Sequence, residues 1–326
     1  AWLLPDASGN WRGRRFHHGT GNLAGVRRSD GLWCAVVWQQ MGSPAAFNLI
    51  ELGPGRGTLM SDMLRASKRV PGFANAMRLH LVESSARLVA IQRTTIERDG
   101  VATTWHDDLG SIPAGPAIIV GNEFLDVLPA TQFFRDAEGW KLRGVGLDAQ
   151  GRLEFCALPL TEVPDWLPAR TTDAIGAVIE TVDCQAVCKQ LAVRGAPMAA
   201  LFIDYGHDGT HGADTMQAVR AHKPEHPLTS PGEADLTTHV HFGAVASAAE
   251  TVGLATDGPI TQAEFLGSLG VLQRGSKLMA ANPGRANEIE MGVARLMAPQ
   301  GMGTRFKAIG IRTPTLPALP GFAEHK

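Results

Sequence analysis

The segment Glu51-Leu52-Gly53-Pro54-Gly55-Arg56-Gly57 constrains this chain more than any other. An apolar run from Phe47 to Leu52 stops abruptly at it. Thr58, then Leu59, Met60, Met63 and Leu64 at helical spacing, follow it. The reading is a buried strand, a glycine loop and an amphipathic helix capped by Thr58. Glycines at 53, 55 and 57 let the backbone reverse and approach a ligand with no Cβ between them. The helix start beyond offers N–H groups that have no partner within the helix. Such a unit belongs to a parallel α/β sheet that binds nucleotide-like ligands at its strand ends. The E-x-G-x-G-x-G spacing narrows the ligand. A dinucleotide fingerprint needs glycine where Thr58 stands, and a Walker loop needs a Gly-Lys-Ser/Thr that is absent.

The residues that follow predict the rest of the sheet. Arg78 to Val82 reads as a second strand ending at Glu83, and Ser84 or Ser85 caps a helix carrying Leu88, Ile91 and Ile96. Val101 to Trp105 and Ala117 to Val120 supply a third and a fourth strand. Strands alternating with helices predict a Rossmann-like, mostly parallel, doubly wound sheet. Thr131 to Phe134, Trp140 to Leu147 and Arg152 to Leu158, joined by Asp-Ala-Glu-Gly and Asp-Ala-Gln-Gly turns, predict an inserted antiparallel β meander. Pro159, Pro164 and Pro168 mark a loop after it. Val178, Ile179, Val182, Ala186 and Leu191 read as one helical stretch, followed by a strand from Ala199 to Ile203 ending at Asp204. Residues 206–238 read as a long loop. Helices carrying Phe242 to Val252 and Phe265 to Leu269 come next, and Arg305 to Ile311 closes the sheet. The division expected is an N-terminal segment, 1–45, partly irregular with one helix on Leu32, Trp33, Val36 and Val37. A domain over 46–326 follows, with insertions near 130–175 and 206–240.

Composition narrows the function classes. With 326 residues, 44% hydrophobic and 19% charged, the chain can bury a substantial core. A formal net charge of −2 gives no global attraction to nucleic acid or to an anionic membrane. The arginines at 12, 14, 15, 27 and 28 read as solvated surface. No apolar run reaches the length of a bilayer span, so no stable membrane insertion is expected. The cysteines at 34, 156, 184 and 188 lack the spacing of a zinc or redox motif, and Cys184 and Cys188 share a helix face where they pack.

The candidate site collects at strand ends. Glu83 is placed where a carboxylate accepts from both ribose hydroxyls of a nucleoside; alone it would read as an exposed helix-flanking acid, and the glycine loop favours the ribose role. Asp107 or Asp108 stands after the third strand, one to receive an adenine amino group, the alternative being a helix cap; Trp105 and His106 border the same place. Asn122-Glu123-Phe124-Leu125-Asp126 follows the fourth strand, across the crevice from the glycine loop. Glu123 and Asp126 suit a planar guanidinium, because the two-pronged geometries match; capping a helix is the alternative. Asp204-Tyr205-Gly206-His207 ends the next strand, with Asp204 or His207 as proton acceptor and Tyr205, the chain's one tyrosine, stacked on or hydrogen-bonded to the acceptor, the alternative being a buried tyrosine with one satisfied hydroxyl. A different constellation, His207, His211, His239 and His241 with Asp204 and Asp208, would serve a metal-dependent hydrolase, although no HExxH pattern occurs, and no metal is expected.

With these residues in view, the chain resembles the MidA family, which is related to the mitochondrial complex I assembly factor that methylates arginine. The likeness runs through Glu51 to Met60, His80 to Glu83, Asn122 to Pro129, Phe202 to His207, Asp214 to Gln217, Pro231 to Phe242, Gly258 to Leu266 and Gly303 to Lys307. The Asn-Glu-Phe and Asp-Leu-Thr-Thr-His-Val-His-Phe segments are more specific than the glycine loop. The resemblance implies a class I methyltransferase fold and S-adenosyl-L-methionine as cofactor; the candidate residues to bind it are Glu51, Gly53, Gly55, Gly57, Glu83, Asp107 and Asn122. It implies an arginine on a protein partner as acceptor, a respiratory complex I subunit among the candidates; the candidate catalytic residues are Glu123, Asp126, Asp204 and His207. The implied compartment is the cytoplasm of a bacterium or the mitochondrial matrix of a eukaryote. Two departures stand out. Only Gly31-Leu32-Trp33 matches the family's opening segment, and His241 stands where the family usually has Asp. The first of these keeps a second reading in view, a non-catalytic assembly protein on the same fold.

Overall fold

The computed structural model describes residues 24–68, 70–96, 98, 100–160, 162, 167, 175–195, 197–209 and 214–322. Arg12, Arg14, Arg15, Pro164, Pro168 and His211 lie outside the described residues. In chain order the elements are α1 (Ala24–Gln40), β1 (Phe47–Leu52), α2 (Thr58–Ser67), α3 (Phe73–Ala76), β2 (Met77–Val82), α4 (Ala86–Ile96), β3 (Thr103–His106) and β4 (Ala117–Asn122). An antiparallel sheet follows, made of a meander of β5 (Ala130–Arg135), β6 (Trp140–Leu147) and β7 (Leu153–Leu158), with β8 (Val178–Val182) returning beside β5. Then come α5 (Gln185–Ala192), β9 (Met198–His207), β10 (Gln217–Arg220), β11 (Lys223–Glu225), β12 (Asp235–Thr237), β13 (Val240–His241) and α6 (Phe242–Thr251). The chain ends with β14 (Ala255–Thr261), α7 (Gln262–Ser268), α8 (Val271–Ala281), α9 (Ala286–Met297) and β15 (Phe306–Arg312).

The main sheet runs β14-β15-β9-β4-β1-β2-β3. Strands β1, β2, β3, β4 and β9 are parallel, while β15 lies antiparallel to both β9 and β14. The order reverses beside β1, with β2 on one flank and β4 on the other, so their carboxyl ends open a crevice there. Alternation along β1 explains the two layers. Phe47 and Leu49 pack with α1, α2, α7 and α8 residues, whereas Ile50 and Leu52 pack with α5 and α6 residues. This is the expected Rossmann-like α/β sheet, with the meander inserted after β4.

Several local expectations change. Thr58 does not cap α2; Gly57 occupies the cap position with φ 75°, a left-handed conformation, and makes no side-chain cap. The buried stripe of α1 is Trp33, Cys34, Val37 and Trp38, while Leu32 and Val36 are 41% and 42% exposed. Gly31 sets that rotation, since a Cβ there would lie 2.6 Å from the Met63 carbonyl, so α1 crosses α2 at this point. Val178–Val182 is a strand rather than the start of a helix, and it pairs antiparallel with β5. Apolar residues at 178, 179 and 182 fit either period, and three β-branched side chains favour the strand. The late strand β15 inserts between β9 and β14 and does not form the edge. Strand β14 was illegible because Gly258-Pro259 interrupts it and the register shifts between Asp257 and Ile260. Part of 206–238 is ordered as a small sheet, β11-β10-β12.

Candidate active site

The glycine loop leaves β1 with three left-handed residues, Gly53 (φ 60°), Gly55 (φ 56°) and Gly57 (φ 75°). An L side chain is strained at each, and a Cβ on Gly57 would also press on Ile96 at 3.2 Å. Gly53 N–H donates to Val82 O at 3.0 Å, which ties the loop to the end of β2. Glu51 is buried beneath the loop. The result is a bare backbone cradle opening on the start of α2.

Glu83 follows β2 and is buried. Its Oε1 accepts from Ser85 N–H at 2.9 Å and its Oε2 from the Gln92 amide at 3.2 Å. Beyond β3, Asp108 caps a short 3-10 turn by accepting from Ser111 N–H at 2.9 Å. That leaves Asp107, which is exposed, as the acid free of this capping duty. Trp105 packs beneath the Arg93 guanidinium, 4.2 Å from its ring centre. Gln92 was not singled out from the sequence. A glutamine on a helix carries no signal of its own, and only its complete burial marks it.

A histidine pair lies behind the same strand ends. His80 Nδ1 is 2.9 Å from His106 Nε2, and His80 Nε2 is 3.1 Å from Asn48 Oδ1. Asn48 Nδ2 donates to Pro113 O at 2.9 Å, so its oxygen requires an N–H from His80. Burial, helped by His106 and the cations Arg194 and Arg78, lowers the His80 pKa to about 4. In the unfolded chain the ring titrates near 6.5. The folded state therefore binds fewer protons between these values. His80 contributes stability that is present above about pH 6.5 and lost as pH falls towards 4. On the order of 1–3 kcal/mol is at stake. Thermal melts of wild type and His80→Gln between pH 7 and pH 4 are expected to converge as pH falls; a constant difference would rule this out.

Across the crevice, Asn122 ends β4 and Glu123 takes φ 51°, a left-handed conformation rare for a residue with a side chain. Asn122 Nδ2 lies 3.3 Å from Glu123 Oε1. Asp126 is buried in the turn Leu125–Val127, and Tyr205 Oη donates to its Oδ2 at 2.5 Å. Burial and the Asp126 carboxylate push the Tyr205 hydroxyl above its ordinary range, so it stays a donor. Its ring meets His239 and Phe306 edge-on, with centroids 5.5 and 5.6 Å away.

Asp204 has a different place from the one expected. It is completely buried. Its Oδ2 accepts from Leu125 and Asp126 N–H at 2.9 and 3.1 Å, and its Oδ1 from Tyr205 N–H at 3.0 Å. Burial, with Asp126 and Glu123 nearby, raises its pKa well above the carboxylate range. Asp204 thus holds the loop that carries Asp126 and does not itself face the crevice. His207 is engaged locally: its Nδ1 accepts from Gly209 N–H at 3.1 Å and its ring packs on His241 with centroids 5.1 Å apart. His241 caps α6, its Nδ1 accepting from Ala244 N–H at 2.9 Å, the role an aspartate fills as readily. Among the described residues no group of three or more His, Cys, Asp or Glu is arranged to hold an ion.

Behind Tyr205, Glu180 on β8 is buried and receives N–H groups of Thr215 and Met216 at 3.0 and 3.1 Å and the Gln132 amide at 2.5 Å. Thr215 Oγ1 in turn accepts from His239 N–H at 2.8 Å. The inserted sheet therefore anchors the segment that passes over the acceptor side. Gln132 and Glu180 were also missed, because their signal is long-range pairing.

Comparison with known proteins fits this geometry. A family described as "Putative S-adenosyl-L-methionine-dependent methyltransferase" matches residues 31–260. The Protein arginine methyltransferase NDUFAF7, mitochondrial, of Rattus norvegicus is 34% identical over 305 residues, 85% of this chain and 69% of that protein. The Homo sapiens protein of the same name is 32% identical over 313 residues, covering 85% and 68%. A Burkholderia thailandensis protein solved with S-adenosyl-homocysteine bound superposes with a TM-score of 0.79 at 26% identity, covering 92% of this chain and 79% of that one.

Proposed function

We propose that this chain, which belongs to the S-adenosyl-L-methionine-dependent methyltransferase family, methylates an arginine on a protein partner. The observation that carries the reading is the paired design of the crevice. One wall is a glycine cradle with a buried acid, and the other is a loop bearing Glu123 and Asp126 with the Tyr205 hydroxyl on Asp126. The cradle fits the cofactor. Gly53, Gly55 and Gly57 leave space for its amino-acid end, Glu83 offers a carboxylate to its ribose, and Asp107 and Asn122 stand at the two flanks.

S-adenosyl-L-methionine supplies a methyl group already made electrophilic by the sulfonium. The chain has to orient an acceptor nitrogen in line and keep it nucleophilic. Glu123 and Asp126 do both for a guanidinium. They hold its plane by two-pronged hydrogen bonds, and their charge offsets its own. Asp204 contributes by fixing the Asp126 backbone. The acceptor's proton leaves through Glu123, the half-buried member of the pair.

The relatives' printed names make a protein arginine the natural acceptor, and a respiratory complex I subunit the partner to try first. Among the described residues no helix is long and apolar enough to cross a membrane. The compartment we infer is the bacterial cytoplasm, or the matrix in a eukaryote. The test supplies methyl-labelled cofactor and a complex I-enriched extract, then locates the label by mass spectrometry. Methylarginine on a protein is expected. Label on another residue would reject the acceptor, and no label would favour the non-catalytic assembly protein.

A further inference from the structure

We propose that Gln92 is the positioning residue of the cofactor site, the side chain through which the glycine loop and the ribose-binding acid are held in one arrangement. The inference rests on the reading of Glu83 as the acid that accepts from ribose.

Gln92 stands on α4 with 0% exposure, a place where helices ordinarily put an apolar side chain. Burying a primary amide is unfavourable unless its groups are bonded. Here all of it is used. Nε2 donates to Gly55 O at 2.8 Å and to Glu83 Oε2 at 3.2 Å, and Oε1 accepts from Trp105 Nε1–H at 2.9 Å. The indole can only donate, so it fixes which end of the amide is oxygen. One side chain thereby joins the loop after β1, the acid after β2 and the tryptophan of β3.

The consequence falls on Glu83. An ionised carboxylate has about four acceptor positions. Ser85 N–H takes one on Oε1, and Gln92 takes one on Oε2. The carboxylate is gripped on both oxygens, and one lone pair on each is left for the two hydroxyls of a ribose. The same amide holds the carbonyl of left-handed Gly55, which sets the orientation of the peptide facing the cofactor. Removing the amide frees the Glu83 rotamer and the loop together.

The test measures binding of S-adenosylhomocysteine and of its 2′-deoxyribose analogue by calorimetry. Wild type is expected to favour the parent by about tenfold or more, the worth of one charge-assisted hydrogen bond. In Gln92→Met, which keeps the volume, that preference is expected to fall below about threefold. Weaker binding of both ligands with the preference intact would mean that Gln92 only supports the fold, and the proposal fails. No preference in wild type would instead remove the ribose role of Glu83, and the proposal with it. Gln92→Glu gives an independent readout. It sets a second carboxylate against Glu83, and paired anions resist joint ionisation. Affinity of this variant for S-adenosylhomocysteine, relative to wild type, is expected to rise about tenfold between pH 8 and pH 6. A ratio that stays flat across that interval would overturn the proposal.

Discussion

Asp126→Asn is expected to slow methyl transfer by about 10²- to 10³-fold while changing affinity for S-adenosylhomocysteine by less than about threefold. The substitution keeps the shape, and an amide oxygen still accepts from the Tyr205 hydroxyl, which now reaches Asp126 Oδ2 at 2.5 Å. The backbone N–H of residue 126 keeps its bond to Asp204. The negative charge is lost, and one acceptor oxygen becomes an NH2 group that cannot receive a guanidinium N–H. That charge matters to a cationic acceptor, which must be held and kept nucleophilic between Glu123 and residue 126. Tyr205→Phe should be milder, about tenfold, because it removes an orienting hydrogen bond and leaves the charge. Labelled-methyl transfer into the complex I-enriched extract measures both. A wild-type rate in Asp126→Asn would take the carboxylate out of the chemistry.

The contrast between Asp126 and Asp204 also shows what sequence reading could and could not resolve. Both are acids at the carboxyl end of a parallel strand, and nothing in their neighbours tells them apart. The difference is depth. Asp204 is fully buried and faces three backbone N–H groups of the Asp126 loop and its own strand, contacts between residues 78 and 79 apart in two of the three cases. No local pattern carries that. The glycine loop and Glu83 were legible because their signal is local: an apolar run ending at glycines, then a second ending at an acid. The first four parallel strands were legible for the same reason. Strand β14 was not, since Asp257-Gly258-Pro259 breaks its pattern and only pairing with β15 defines it. Helices α8 and α9 went unread even though their apolar residues recur at helical spacing. His241 was read as a departure from its family, and the structure gives the reason it is tolerated. An imidazole nitrogen at the cap position accepts the Ala244 N–H that an aspartate would.

Glu83→Ala is expected to weaken S-adenosylhomocysteine binding by about 10²- to 10³-fold. Two hydrogen bonds from hydroxyls to a carboxylate contribute roughly 1.5–3 kcal/mol each, and part of that is recovered by water entering the vacated space. The loss has a second source. Without the carboxylate, the Gln92 amide keeps only Gly55 O as acceptor, and Ser85 N–H keeps none from this side chain. A buried donor left unsatisfied costs about 1–3 kcal/mol, so the fold should lose stability together with the affinity. Glu83→Gln separates the two. Its amide oxygen can still accept from Ser85 or Gln92, so the melting temperature should recover while affinity stays low, because a neutral amide cannot accept from both hydroxyls as the carboxylate does. Calorimetric titration of the three proteins decides the matter. If Glu83→Ala bound S-adenosylhomocysteine as tightly as wild type, the acid would have no ribose to hold, and the cradle would have to recognise its ligand through the glycine loop alone.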